Sequence, residues 1–410
     1  MRELHSNWKE VKLGNICTLI SDGLHGTPKY DNNGNYYFIN GNNLCNGKIV
    51  IKNDTKKVNE IEYNKYKKIL NDRTLFLSIN GTIGNVASYN NEKVVLGKSV
   101  CYINVNNDYD KNFIKYILYN IDFQNYISKL ATGTTIKNVS LKLVREYSFF
   151  IPPLDEQKRI ASILSALDNK IELNNKTNKI LEEMAQTIFK EWFINFNFPN
   201  EDGKPYKKSG GEMIDSELGK IPKGWKVITL KDIISIAKGK KPKATSDKIT
   251  EKFTMPYLTI NCYNNEATEY TEYNEKMHVK ELDIVMVMDG NAGKIFYGKE
   301  GILSSTMAKL IVEDSNLNEL VFYFLKSIEY DLMYHTVGSV IQHADKQYML
   351  NKKFCVSLDN LERLSDIFKC IRKEISLNKK ENEKLSNIRD SLLPKLMTPK
   401  GRRADGEIRV

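Results

Sequence analysis

Residues 160–192 read IASILSALDNKIELNNKTNKILEEMAQTIFKEW, a stretch with a regular pattern of apolar residues. Apolar residues recur in it at alternating spacings of four and three, which is typical of the seam of a coiled coil. Two Asn residues interrupt the seam near its middle. The seam positions are Ile160, Leu164, Leu167, Ile171, Asn174, Asn178, Leu181, Ala185, Ile188 and Trp192.

A second stretch, near the other end of the chain, repeats this pattern. Asn378 and Asn382 each follow their counterpart in the first stretch by 204 positions. Polar residues at a seam destabilise a helix pair unless they meet another polar group. We therefore predict that the two helices pair as an antiparallel coiled coil with the four Asn residues in a central polar layer. The alternative is that each helix packs on its own domain and the Asn side chains reach solvent. The apolar positions of the second seam are Leu364, Phe368, Ile371, Ile375 and Leu385.

The sequence before each helix is also repeated. The matches keep their order along the chain, and their offset drifts slowly, as expected when loops differ by a few residues. A period of this length is too long for a solenoid and indicates a duplicated domain. The matching segments are 8–16 with 225–233, 75–84 with 284–293, 113–118 with 320–325, and 133–136 with 338–341.

Each copy combines strand and helix signals. Short runs rich in β-branched and aromatic residues, such as 74–79 and 284–288, come before one predicted short helix, over 112–130 or 318–334. This order favours the α+β class. The predicted architecture is therefore two tandem globular α+β domains, each followed by a long helix, with the two helices paired.

Composition limits the classes of function. The chain has 410 residues, and Lys plus Arg exceeds Asp plus Glu by 61 to 51. This mild excess favours an acidic partner such as DNA. No apolar run is long enough to span a membrane and the first residues lack a signal-peptide pattern, so we expect a cytoplasmic protein without membrane contact. The six Cys residues are scattered, which is typical of reduced thiols.

No catalytic constellation stands out in the sequence. Residues 97–99 read GKS but lack the upstream glycine of a phosphate-binding loop. The paired motifs of amino-methyltransferases are absent, and the five His residues have no metal-ligand spacing. We therefore expect no cofactor or metal site in this chain and no catalysis by the chain alone.

Polar loops offer groups that suit DNA. Four Lys residues within 238–243 lie on a loop with Gly and Pro, which can neutralise phosphates and approach a backbone closely. The matching loop of copy one is less basic, and two further loops carry hydroxyl and amide groups of the kind that contact phosphates and base edges. Plain solvated loops remain the alternative for each. The candidate DNA-binding residues are His25, Thr27, Lys29, Tyr30, Thr134, Thr135, Lys137, Asn138, Lys238, Lys240, Lys241, Lys243, Ser339, Gln342 and His343.

The sequence before the first helix reads Ile151-Pro152-Pro153-Leu154-x-Glu156-Gln157, and Phe189-x-x-Trp192-Phe193 lies at the end of that helix. Together these motifs resemble one family, the specificity subunits of Type I restriction-modification enzymes. The opening at 8–14, the segment 21–44 and the stretches 198–206 and 219–225 are also similar to that family. The second copy departs from the first motif, because 356–362 lacks the double proline and the Gln.

The resemblance implies a division of labour. Each globular copy is expected to read one half of a split, asymmetric site in double-stranded DNA, and the paired helices to set the gap between the halves and to dock two methyltransferase subunits. Restriction motor-nuclease subunits would join through these, and S-adenosylmethionine, ATP and Mg²⁺ would belong to the partners. The implied segments are recognition domain 1 (1–153), helix 1 (154–194), a linker (195–224), recognition domain 2 (225–358), helix 2 (359–398) and a tail (399–410).

Two other classes of function remain open from the residues alone. One is a stand-alone or fused DNA methyltransferase or endonuclease, and the other is a coiled-coil scaffold that does not bind DNA. The first would require a cofactor site, and the second would make the basic loops irrelevant to function.

Overall fold

The computed structural model divides the chain into two compact units. Unit 1 contains the residues up to 174 together with those from 380 onward, and unit 2 contains residues 175–379. Each unit therefore holds one sequence copy and part of both long helices. The six segment boundaries given above stay a prediction, because this division follows compactness alone. The structure describes residues 7–133, 136–264, 268–338, 342–357 and 361–399.

Unit 1 is built from short strands and short helices before the first long helix. Its strands are β1 (Lys9–Lys12), β2 (Cys17–Asp22), β3 (Tyr36–Ile39), β4 (Leu44–Cys45), β5 (Lys48–Ile49), β6 (Lys57–Val58), β7 (Thr74–Ser78), β8 (Val86–Ser88), β9 (Val94–Leu96), β10 (Val100–Val105) and β11 (Ser148–Ile151). Its helices are α1 (Glu60–Tyr66), α2 (Lys111–Tyr119), α3 (Ile121–Leu130), α4 (Leu141–Glu146) and the start of α5 (Leu154–Phe189).

Unit 2 repeats this plan after a β-hairpin. Its strands are β12 (Met213–Ser216), β13 (Gly219–Pro222), β14 (Lys226–Thr229), β15 (Ile234–Lys238), β16 (Met255–Leu258), β17 (Glu269–Thr271), β18 (His278–Val279), β19 (Ile284–Val287), β20 (Ile295–Tyr297), β21 (Gly301–Leu303), β22 (Met307–Val312), β23 (Thr336–Val337), β24 (His343–Ala344) and β25 (Lys353–Val356). Its helices are α6 (Ile260–Tyr263), α7 (Asn318–Ser327), α8 (Glu329–Tyr334), α9 (Lys346–Leu350) and the start of α10 (Leu361–Leu396).

The sheets of the two units have matching topology. The four-stranded antiparallel sheet β2-β10-β7-β8 of unit 1 corresponds to β15-β22-β19-β20 of unit 2. A second sheet contains the parallel pair β3 and β9, which corresponds to the parallel pair β16 and β21. The antiparallel pair β1 and β11 corresponds to β14 and β25. The predicted duplication and α+β class are confirmed.

The short helix late in each copy was predicted wrongly as one piece. It is two helices in both units, because the backbone leaves the helical region at Asn120, with φ −61° and ψ 141°, and again at Ile328. The break lets each short helix turn its own apolar residues inward. Phe113 of α2 and Phe123 of α3 are both fully buried.

The first long helix begins on a buried polar anchor. The Gln157 side chain donates to the Pro152 carbonyl at 2.8 Å and accepts the Asp110 amide at 2.9 Å. Only 2% of Gln157 is exposed. These contacts explain why a Gln follows the double proline in copy one.

The long helices pack together in antiparallel orientation. In unit 1, Arg389 donates to Asp168 at 2.8 Å and Asn174 donates to Asn382 at 2.9 Å. In unit 2, Asn378 donates to Asn178 at 2.9 Å, and the Phe189 and Phe368 rings are 6.4 Å apart. The partner's number falls as the residue number rises, which defines an antiparallel pair. The remaining predicted seam residues are buried or half-buried: Leu164, Leu167, Ile171, Leu181, Ile371, Ile375 and Leu385.

The predicted linker is an ordered part of unit 2. It contains the β12–β13 hairpin and a stack of aromatic rings. The ring of Phe198 stacks on that of Tyr206, at 4.7 Å, and on that of Trp225, which directly follows the linker, at 4.9 Å. Both Phe198 and Trp225 belong to the core cluster of this unit.

Candidate nucleic-acid interface

Loops from distant parts of the sequence meet at one end of each four-stranded sheet. In unit 1 the register pairs Asp22 with Cys101 and Val100 with Ser78, so the end of β2, the start of β10 and the end of β7 lie together. In unit 2, Lys238 pairs with Ala308 and Val287 pairs with Met307. We call these places the loop ends: residues 22–25, 79–81, 97–99 and 136–138 in unit 1, and residues 238–241, 288–290, 304–306 and 342–344 in unit 2.

A glycine fixes the same close approach in both loop ends. A Cβ at Gly23 would lie 2.2 Å from the Gly97 carbonyl oxygen, and one at Gly239 would lie 2.1 Å from that of Ser304. Neither position tolerates a side chain, because the opposing atoms are backbone. The two loop ends therefore share one backbone arrangement.

In unit 1 the loop end presents a pair of amide side chains. Asn80 Nδ2 donates to Asn138 Oδ1 at 3.1 Å. Main-chain bonds support the pair, since the Gly81 amide donates to the Lys137 carbonyl at 3.0 Å and Asn138 exchanges two bonds with Thr132. Lys137 and Asn138 are exposed. The structure thus brings two predicted residues together with one, Asn80, that was not predicted.

His25, Thr27, Lys29 and Tyr30, the other predicted residues of copy one that the structure describes, are exposed, but they divide into two places. His25 Nε2 lies 2.6 Å from the Asp22 carboxylate, at the loop end. Lys29 donates its main-chain amide to Glu62 of α1 at 2.9 Å, and the Tyr30 ring lies 5.9 Å from that of Phe38 in β3. These two therefore lie against the second sheet, and no hydrogen bond or ring contact among the described residues joins Thr27 to the loop end.

In unit 2 a carboxylate organises the loop end. Asp289 Oδ1 lies 2.7 Å from His343 Nδ1, and Asp289 Oδ2 lies 3.5 Å from Lys238 Nζ. The Gly290 amide donates to the Gln342 carbonyl at 3.0 Å. Lys238 and His343, which are about a hundred positions apart in sequence, thus meet around Asp289, a residue that was not predicted, and the main chain of Gln342 bonds to the neighbouring Gly290.

The rest of the lysine loop is open to solvent. Lys240, Lys241 and Lys243 are exposed, and none of them forms an ion pair with a carboxylate in the part of the chain that the structure describes. Their charges are therefore not neutralised by nearby acidic groups. Thr134, Thr135 and Ser339 were also predicted to contact DNA, but they lie outside the described residues.

The sequence contained a signal for the two residues that were missed. Asn80 and Asp289 each precede the first glycine of a repeated G-x-x-G pattern. Gly81 and Gly290 have φ values of +74° and +87°, so the strand turns sharply and leaves the preceding side chain at the sheet end. Only the pairing with the loop of residue 138 or 343, which is far away in sequence, identifies them as part of the site.

Two carboxylates of the helix pair, Glu381 and Asp168, form hydrogen bonds and ion pairs in unit 1. Glu381 accepts a hydrogen bond from Asn174 at 2.7 Å and lies 3.1 Å from Lys170, and these two contacts, the Asn174 bond first, lower the pKa of its carboxyl. Asp168 accepts hydrogen bonds from Tyr116, at 2.6 Å, and from Arg389. This carboxylate therefore joins α2, α5 and α10 within unit 1.

Other candidate chemistry is sparse in the described ranges. Within them no group of His, Cys, Asp and Glu is arranged to hold a metal ion. Burial raises the pKa of Cys17 to about 12 and that of Cys355 to about 11, so these thiols stay protonated. No described helix has the length and apolar character that crossing a membrane requires.

Comparisons with known proteins agree with this architecture. The sequence model of the Type I restriction modification DNA specificity domain matches residues 5–183 and 222–387. The chain is 24% identical to the Type I restriction enzyme MjaIX specificity subunit of Methanocaldococcus jannaschii, over 73% of this chain and 69% of that protein. It is 22% identical to the Type I restriction enzyme HindI specificity subunit of Haemophilus influenzae, over 96% of this chain and 99% of that one. The crystal structure of a Type I restriction-modification S subunit from M. genitalium superposes with a TM-score of 0.56 at 19% identity, covering 97% and 98% of the two chains, and so shares the fold.

Proposed function

The chain belongs to the Type I restriction modification DNA specificity family and is a non-catalytic specificity subunit for DNA target recognition, and from this premise we propose that its two copies read the two halves of a split, asymmetric site. The observation that carries the proposal is the pair of loop ends. They share a backbone arrangement but differ in side chains: Asn80 corresponds to Asp289, and Asn138 corresponds to His343. Equivalent positions with different hydrogen-bonding groups favour different base sequences in the two halves.

We propose that the paired helices set the gap between the half-sites. The seam from 160 to 192 corresponds to roughly 50 Å of helix at about 1.5 Å per residue. Inserting four residues, one helical turn, in both helices is expected to lengthen the tolerated gap and to leave each half unchanged. A motif with the original gap would contradict this role of the helices.

We further propose that two methyltransferase subunits dock on the helices. The first support is that the globular copy in each unit already covers one flank of the helices. In unit 1 that flank contacts the recognition copy through Tyr116 with Asp168 and through Lys48 with Glu172. In unit 2 the Ser376 hydroxyl of α10 donates to Glu281 at 2.6 Å. In each unit, one flank of the helices thus contacts the unit's own globular copy.

The second support comes from the opposite flank of the helices. Several residues there that directly precede a seam position are apolar and exposed. Leu173 is 57% exposed and Ile388 46% exposed in unit 1, while Leu377 is 52% and Met184 49% exposed in unit 2. Leu377 follows Leu173 by 204 positions, and Ile388 follows Met184 by the same number. In an antiparallel pair these flanks lie on the same side, as the ion pair of Lys170 with Glu381 shows in unit 1. Each unit therefore presents an equivalent apolar patch, and exposed apolar patches are typical of protein interfaces.

Catalysis and its cofactors belong to the partners in this proposal. Motor-nuclease subunits would join through the methyltransferase subunits, and S-adenosylmethionine, ATP and Mg²⁺ would be bound by those proteins. We propose that the complex acts in the cytoplasm, where the DNA that it surveys is found.

Methylome sequencing tests the recognition function. Cells that contain this chain with its methyltransferase partner are expected to methylate one split motif with unlike halves, because the two loop ends differ. A motif with identical halves, or the same methylation in cells that lack the chain, would contradict the proposal.

Paired variants test the docking surface. Leu173→Asp with Ile388→Asp should remove one methyltransferase subunit from the complex, and Leu377→Asp with Met184→Asp should remove the other, as measured by native mass spectrometry. Ile61→Asp is a suitable control, because Ile61 is 78% exposed on α1, away from the helix flank. Complexes that keep both subunits in each double variant would rule out these patches.

A further inference from the structure

The geometry points to different base readers at the two loop ends: Asn80 with Asn138 reads an adenine in one half-site, and Lys238, held by Asp289, reads a guanine in the other. This inference rests on the proposed function. It assigns the reading to particular side chains, two of which, Asn80 and Asp289, became visible only in the folded chain.

The amide pair in unit 1 matches the major-groove edge of adenine. That edge carries the N7 acceptor and the N6 amino donor, and Asn is suited to bonding both. The bond between Asn80 and Asn138 uses one N–H and one oxygen. Whichever amide donates to the other, the pair keeps one carbonyl oxygen and free N–H groups, which is the set that adenine requires.

The position of the pair favours base contact over phosphate contact. Asn138 is exposed, Asn80 is half-buried, and both lie where β7 ends. Their main chains are fixed by bonds to Thr132 and between Gly81 and Lys137. A neutral amide pair held on a fixed backbone adds little to phosphate affinity, which depends on positive charge, but it can discriminate between bases.

Unit 2 presents a different group at the same place. The Asp289 carboxylate faces His343 on one oxygen and Lys238 on the other, so its acceptors are already engaged. The Lys238 ammonium has three N–H donors and faces one carboxylate, so it keeps donors for a further partner, and 46% of its side chain is exposed. A Lys ammonium matches the O6 and N7 acceptors of guanine, whereas adenine offers a donor at position 6.

The experiment uses the assembled complex and duplexes that carry the motif found by methylome sequencing. Each adenine of one half-site is replaced in turn by 7-deazaadenine, which lacks the N7 acceptor. For one adenine the replacement should weaken binding of the wild-type complex about 5- to 100-fold, in line with the discrimination of a good bidentate contact. The Asn138→Ala complex should bind the natural and the modified duplex equally at that position.

The reciprocal arm uses Lys238→Met and 7-deazaguanine. This variant keeps the length of the side chain and removes the ammonium, so it should become insensitive to 7-deazaguanine at one position of the other half-site only. Lys137→Ala serves as a control, since its neighbouring exposed charge should affect all duplexes alike. Asn80→Ala provides a second variant of the amide pair in case Asn138→Ala perturbs the loop.

The outcomes separate the inference from the function on which it rests. If the wild-type complex shows no preference for the motif, the proposed function fails. If it prefers the motif but the Asn138→Ala loss adds to the 7-deazaadenine loss at every adenine, the base assignment alone fails. Uniform weakening across all duplexes would make these residues phosphate contacts and would also overturn the assignment.

Discussion

The loop ends of unit 1 and unit 2 share a backbone arrangement but carry different functional groups. Gly23 and Gly239 make the same close approach to the neighbouring loop, yet one end carries an amide pair and the other a carboxylate between a His and a Lys. The main-chain hydrogen bonds at each loop end do not depend on the side chains that the loops carry. Recognition can therefore differ between the copies without any change in the fold that supports it.

The helix halves of the two units differ in a parallel way. Leu164 and Phe368 occupy equivalent seam positions, 204 residues apart, and both are fully buried. Leu164 packs in a largely aliphatic cluster, whereas Phe368 lies among the rings of Phe189, Trp192, Phe193 and Tyr323. The equivalent seam position is thus filled by an aromatic residue among other rings in unit 2 and by an aliphatic residue in unit 1.

The largest expected effects are the losses of stability on substitution at these two core positions. Phe368→Ala should lower the free energy of unfolding of unit 2 by about 3–5 kcal/mol, because it removes a ring that several others contact. Leu164→Ala should lower that of unit 1 by about 2–5 kcal/mol, toward the lower end because fewer atoms are removed. Urea unfolding monitored by Trp fluorescence can separate the units when the Trp residues of the other unit are replaced by Phe, since Trp8 lies in unit 1 while Trp192 and Trp225 lie in unit 2. Equal losses in both units would remove the distinction.

The next effect concerns phosphate binding by the lysine loop. Lys240→Ala, Lys241→Ala and Lys243→Ala combined should reduce the slope of log affinity against log salt by about 0.9 for each phosphate that the loop no longer neutralises. Lys204→Ala, Lys207→Ala and Lys208→Ala combined remove the same charge from another exposed segment and control for net charge.

The matched test in unit 1 is Lys29→Ala with Lys137→Ala. It should reduce the slope less, because copy one has the less basic loop. DNA binding titrated at several salt concentrations measures all three variants. A reduction in the linker control as large as that in the lysine loop would show that only net charge matters.

The polar layer of the helix pair gives a smaller contrast. Asn174→Ala should destabilise unit 1 by about 1–3 kcal/mol, because its bonds to Asn382 and to the Glu381 carboxylate are both lost in a partly buried seam. Asn378→Ala should destabilise unit 2 by less, since Asn378 donates to the neutral Asn178, whereas Asn174 also donates to the carboxylate of Glu381. Urea unfolding of both variants provides the comparison. A larger loss for Asn378→Ala would reverse the ranking of the two bonds.

The smallest effect is the contribution of Glu381 to the pH dependence of the stability of unit 1. The pKa of Glu381 is lowered by Asn174 and Lys170, so its stabilisation is complete above the unfolded value of about 4.3 and is lost as the pH falls through the lower folded value. The equivalent residue of unit 2 is Thr177, which does not titrate in this range. The effect is small because the pair is exposed.

The test of this pH dependence is Glu381→Gln. Stability measured through Trp8 fluorescence between about pH 5 and pH 3 should fall less steeply in this variant than in the wild type. Thr177→Val is the matched control and should leave the profile unchanged. A wild-type profile identical to that of Glu381→Gln would remove Glu381 from the account.

Features that are periodic along the chain could be predicted from the sequence, whereas features that depend on distant partners could not. The seam spacing predicted the antiparallel pair, and the repeated segments predicted the duplication, because both are periodic along the chain. The break at Asn120 was not predicted, since the apolar pattern continues on both sides of it and tertiary packing decides the turn. The roles of Asn80 and Asp289 were not predicted because each depends on a partner loop more than fifty residues away.

Unit 1 is built from both ends of the chain, and this affects the order in which the chain folds. Its core combines Ile160 and Leu164 with Leu396 and Met397, and unit 2 lies between them in the sequence. At about 5–20 residues per second, synthesis of the intervening roughly 200 residues takes about 10–40 s. The unit that emerges first from the ribosome is therefore completed last, and its apolar helix face must remain unpaired during that interval. A chain that is truncated after residue 379 and released from the ribosome should show a complete unit 2 and a protease-sensitive unit 1.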